Sequence, residues 1–263
     1  MKTNRSDRWR VTSDEVGCRA RAHNPRHASR VTRHLLAFTL IELLVVLAII
    51  GTLAALVLPV AGGVKRRQYI ANTRAEMERF VTAIENYKTV YGFYPPDNQD
   101  PTHTQSPAYR FMRNPLYYEL VGVTNNNGVY QTLDGRAAIP TAVLSSIGVS
   151  GFMNCSKPGG GEDSAAARDF LPELKPSQMG YVTNLGAPAY TNVMLVTSVG
   201  GPANDYRPLG IQDLNPWRYN SSNPTNNPGA YDLWVQLDLG PTNQLNLICN
   251  WARQVQIGLT NVW

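Results

Sequence analysis

The 263 residues carry 24 Lys/Arg against 19 Asp/Glu, a formal net charge of +5, with four histidines and three cysteines. That length allows one or two domains. The basic excess sits in residues 1–37, where nine basic and three acidic side chains leave net +6; the remainder holds fifteen and sixteen, net −1, so the charge is no argument for nucleic-acid binding. His23, His27, His34 and Cys18 lie in the same segment, which leaves His103 alone after it and excludes a multi-histidine metal centre there.

In chain order, residues 1–37 read as an Arg-rich leader without apolar periodicity. From Phe38 to Leu58 the chain is apolar for 21 residues, with Glu42 the only charge. About 20 such residues suffice to cross a bilayer as a helix, so 38–58 is expected to be a transmembrane half-helix. A charge inside such a run is costly and is kept for a job and a partner. After Lys65-Arg66-Arg67 the pattern becomes amphipathic: Ile70, Met77, Phe80, Ile84, Tyr87 and Tyr91 recur at helical spacing, predicting a second half over 59–91. Gly92 and Pro95-Pro96 end it.

The stretch Ala37-Phe38-Thr39-Leu40-Ile41-Glu42-Leu43-Leu44, behind its basic segment, resembles the prepilin signal of type IV pilins and type II secretion pseudopilins. The resemblance implies cleavage between Ala37 and Phe38 by a prepilin peptidase and N-methylation of Phe38. It also implies that Glu42 meets the new amino terminus of a neighbouring subunit, so no catalytic residue is expected. Ala37 departs from the glycine usual before the cut. The partners implied are the peptidase, other copies of the chain, an inner-membrane assembly platform and the membrane itself. The placement implied is single-pass in a bacterial inner membrane with a periplasmic carboxy-terminal domain. In an oxidising periplasm Cys155 and Cys249 could pair, closing a loop of roughly 95 residues worth about 4–5 kcal/mol in the chain-entropy model; two separate buried thiols are the alternative.

Residues 92–263 read as one globular domain. Residues 97–108 are expected as loop, Leu116–Val123 as a short helix before the Asn125-Asn126-Asn127-Gly128 turn, and 139–147 and 164–174 as weaker helices, the last capped by Ser164. Gly159-Gly160-Gly161 lacks a phosphate-loop context and reads as loop. Residues 192–199 suit a strand. The best strand is 231–239, whose Tyr231, Leu233, Val235, Leu237 and Leu239 share one face by alternation, followed by an antiparallel partner over 245–251. The expected fold class is α+β and pilin-like: a long amino-terminal helix packed on a small carboxy-terminal antiparallel sheet.

Tyr94-Pro95, Asn215-Pro216-Trp217, Tyr219 and Pro228-Gly229-Ala230-Tyr231-Asp232-Leu233-Trp234 resemble segments of the major pseudopilins. That likeness implies a structural subunit of a type II secretion pseudopilus, with a type IV pilin as the alternative. Major pseudopilins commonly bind calcium after this strand, and Asp232 and Asp238 are the only carboxylates available for it; the acidic cluster that calcium favours is missing. A further alternative is an anchored carbohydrate-binding module that stacks sugars on Tyr206, Trp217 and Tyr219.

Overall fold

The computed structural model describes residues 38–100, 107–156, 166–184, 190–200, 214–239 and 245–258; the side chains of 56–62, 107–109 and 184 lie outside that description. Contacts divide the chain into two units, one ending at Leu53 and one running from Ala54 to Trp263. Helix α1 (Leu40–Tyr91) continues through both. In the first unit its apolar side chains are exposed. In the second, Met77, Phe80, Ile84 and Tyr87 are buried. Their spacings of three and four residues put them on one face, and that face is built into the domain core.

α1 stops at Tyr91 because Gly92 takes φ +83° and donates its N–H to the Lys88 carbonyl, a left-handed cap that glycine adopts without strain. Helices α2 (Pro107–Met112) and α3 (Leu116–Val121) follow. Gly122 closes α3 at φ +79°, where a Cβ would stand 2.8 Å from the Arg168 carbonyl oxygen. Strands β1 (Val123–Asn126), β2 (Val129–Thr132) and β3 (Ala138–Pro140) form a meander, and a 3-10 helix occupies Thr141–Ile147. Strand β4 (Cys155–Ser156) joins β1 in parallel, giving the order β3-β2-β1-β4. Strands β5 (Met179–Asn184) and β6 (Tyr190–Leu195) pair with each other. Strands β7 (Arg218–Asn220), β8 (Asp232–Asp238), β9 (Leu245–Cys249) and β10 (Gln256–Ile257) make a second four-stranded sheet, ordered β10-β9-β8-β7.

Several expectations are corrected. The domain is not one small antiparallel sheet: its described residues hold ten strands in three sheets, one containing a parallel pair. The pilin-like α+β architecture, a long helix on a small sheet, is therefore not what the chain adopts. Nor is any helix among the described residues long and apolar enough to cross a membrane. The transmembrane half-helix over 38–58, and the single-pass inner-membrane placement with a periplasmic domain built on it, are corrected with it. Residues 166–174 form bends and turns rather than the expected helix; Ser164 and Gly159-Gly160-Gly161 lie outside the described residues. The expected loop over 97–108 gives way to α2 at Pro107. Strand β8 is buried on both faces up to its last residue, where alternation predicts one covered face.

Phe80 meets the Trp217 ring edge-on at 5.5 Å between centroids, and both side chains are fully buried. Thr73 and Thr197 hydroxyls meet at 3.3 Å. The Tyr219 hydroxyl donates to the Pro95 carbonyl at 2.8 Å. These contacts tie the helix and the segment after it to residues more than a hundred positions away in sequence.

Candidate processing and assembly site

The head of α1 is built by two side chains. Thr39 is its N-cap: the Glu42 amide donates to Thr39 Oγ1 at 3.3 Å, while the Thr39 amide and hydroxyl donate to Glu42 Oε2 at 3.0 and 2.8 Å. This reciprocal Thr-x-x-Glu arrangement satisfies donors that a helix start otherwise leaves open. A carboxylate in the first turn also faces the positive end of the helix dipole. Hydrogen bonding to Thr39, its backbone N–H foremost, holds the Glu42 carboxyl below the ordinary carboxylate range.

Around that carboxylate the surface is apolar. Phe38 is 75% exposed, Leu40 81% and Ile41 69%. Leu43, Leu44, Leu47, Ile49, Ile50 and Leu53 are each more than half exposed. A contiguous apolar patch of this kind marks an interaction surface. Chemically, the site presents one ionised carboxylate in an apolar surround. If another surface covers it, the charge needs an opposite charge to avoid a large desolvation cost. Ala37, on the other side of the expected cut, lies outside the described residues.

The remaining predicted residues fall elsewhere. Asp232 and Asp238 stand at opposite ends of β8, about 20 Å apart at roughly 3.4 Å per residue, so they cannot ligate one ion. Asp232 is buried and occupied: Oδ2 accepts the Thr225 and Asn226 amides at 2.9 Å each, and Oδ1 the Asn227 amide at 2.8 Å. It closes a loop. Among the described residues no group of three or more His, Cys, Asp or Glu side chains could hold a metal. Cys155 lies in β4 and Cys249 in β9, in different sheets, and no disulfide joins them. Trp217 and Tyr219 are fully buried, so neither offers a sugar-stacking face; Tyr206 and His103 lie outside the described residues.

Two contributors escaped the sequence reading. Thr39 carries a legible signal, a threonine three residues ahead of a glutamate. Glu119, fully buried in α3, does not. Its Oε1 accepts the Met153 amide at 3.0 Å, and its Oε2 accepts the Asn154 amide at 3.0 Å and the Tyr87 hydroxyl at 2.9 Å. Burial nevertheless pushes its carboxyl up from the usual range, outweighing those three donors. Tyr87 belongs to α1, so this carboxylate fastens the end of α1 to α3 and to the segment before β4.

No family model, curated protein or solved structure matches the chain.

Proposed function

We propose that this chain is a structural subunit that polymerises after processing. A prepilin peptidase cuts it between Ala37 and Phe38, Phe38 is N-methylated, and copies polymerise as part of a type II secretion pseudopilus. The observation that supports this most is the juxtaposition at the head of α1: a capped, ionised Glu42 amid exposed apolar side chains, the fifth residue after the proposed cut. Packing copies together would bury the apolar surface, and the roughly 25 cal/mol gained per Å² favours association. The buried carboxylate would then need a cation, and the amino terminus that cleavage creates on a neighbouring Phe38 supplies one.

Calcium is left out, because Asp232 and Asp238 stand apart. Carbohydrate stacking is left out as well, because Trp217 and Tyr219 are core residues.

Mass spectrometry of the amino-terminal peptide from the native host tests the processing step. An N-methylated Phe38 is expected; protein still carrying residues 1–37, unmethylated, would sink it.

A further inference from the structure

On β8 the side chains of Asp232, Trp234 and Gln236 point away from Leu233 and Val235, yet they too are buried. Trp234 packs edge-on against Phe111 of α2, ring centroids 5.3 Å apart, and against Trp251 at 5.9 Å. Beside it lies a cavity of about 90 Å³ lined by Arg110, Phe111, Asn226, Asp232 and Trp234 among others. A single water needs about 10–15 Å³ measured this way, so the cavity has room for a group of several heavy atoms.

Its buried, unpaired side-chain atoms are both donors. The Trp234 indole N–H is buried without an acceptor, in a side chain 3% exposed, and so is the Arg110 Nε–H. The Arg110 guanidinium lies 5.3 Å over the Phe111 ring. The carboxylate in the cavity lining, Asp232, is already taken by the amides of residues 225–227. Buried donors are nearly always paired, and a guanidinium favours an anionic oxygen pair.

We propose that this cavity binds a small monocarboxylate, with Trp234 and Arg110 donating to its oxygens and Phe111 forming an apolar wall. A cation is disfavoured because the buried unpaired groups, Trp234 Nε1 and Arg110 Nε, are donors. A dianion is disfavoured because the Asp232 carboxylate shares the cavity and repels each added negative charge. The site is independent of the assembly role proposed above, since no residue of the α1 head takes part.

The full chain labelled with ¹⁵N-tryptophan tests it, the Trp234 indole signal being assigned by its loss in Trp234→Phe. Titration with sodium acetate should move that signal saturably, beyond sodium chloride at equal ionic strength. Arg110→Met should weaken the acetate response at least tenfold. Arg110→Lys, which keeps the charge but loses the Nε–H, should weaken it less and serves if the Met variant does not fold. A response no greater than that to chloride, an equal response to neutral acetamide, or an undiminished acetate affinity in the folded Arg110 variant would each overturn the proposal.

Discussion

Two glutamates, one at each end of α1's contacts, show opposite solutions to placing a carboxylate. Glu42 is at the surface, and Thr39 alone holds its charge in place. Glu119 is buried, accepts three donors, and still has its carboxyl pushed upward because desolvation outweighs them. The first is cheap for the isolated chain and becomes costly only when something covers it. The second is costly at once and is tolerated because it joins Tyr87 to the segment carrying Met153 and Asn154. One charge is therefore available for a partner, and the other is spent on the fold.

Removing the buried carboxylate should have the largest effect. Glu119→Ala leaves the Met153 and Asn154 amides and the Tyr87 hydroxyl facing a void, at a cost of about 3–5 kcal/mol. Thermal unfolding followed by circular dichroism should drop by roughly 10 °C for a domain of this size; a drop under about 2 °C would show that the three donors find other acceptors.

The pH dependence separates the two carboxylates further. For Glu119 the folded state favours the protonated form, so its penalty is absent below the ordinary carboxylate range. The penalty grows as pH rises through about 4.5 and levels off above the folded value. The melting temperature of the wild type relative to Glu119→Gln should therefore fall as pH rises above the ordinary carboxylate range. A difference that stays flat, or rises, breaks the contrast. Glu42 has the opposite sign: its contribution is present above the ordinary range and is lost on acidification through its depressed value. Full exposure keeps that contribution small.

A weaker effect is expected at the cap. Thr39→Ala removes the acceptor of the Glu42 amide, so amide exchange at residues 42 and 43 should accelerate several-fold, with no change in the domain's melting. Thr39→Ser should restore slow exchange. The smallest expected effect is that of reductant. With Cys155 and Cys249 in separate sheets and unjoined, dithiothreitol should leave the melting temperature where it was.

How much of this was legible in the sequence depended on how local its cause was. The stop at Tyr91 is written in Gly92 and the prolines after it, and the pairing of residues 234–238 with 245–249 follows from alternation around a Gly-Pro-Thr-Asn stretch. The parallel pairing of β1 with β4 is not legible, because it joins residues 123–124 to 155–156 through no periodic signal. The second covered face of β8 is hidden for a similar reason. Trp234 and Arg218 lie opposite each other across β7 and β8, and Phe111 of α2, from a stretch adjoining an expected loop, packs onto Trp234. At the candidate site Glu42 stood out as one charge in an apolar run, and its partner Thr39 was readable from spacing alone. Glu119 was not, since nothing nearby in sequence supplies its donors. The apolar run also misled: it reads as a membrane span, yet no helix among the described residues is long and apolar enough to cross one, and the run forms the exposed head of α1.

The most direct test of the central claim, that Glu42 is held ready for a neighbouring copy rather than kept only to cap its own helix, is filament assembly by Glu42→Gln in the native host. Glutamine preserves an acceptor for Thr39 and so the cap, but removes the charge. The account predicts a processed, folded subunit with slow exchange at residues 42 and 43 that does not assemble. Normal filaments from that variant would contradict it.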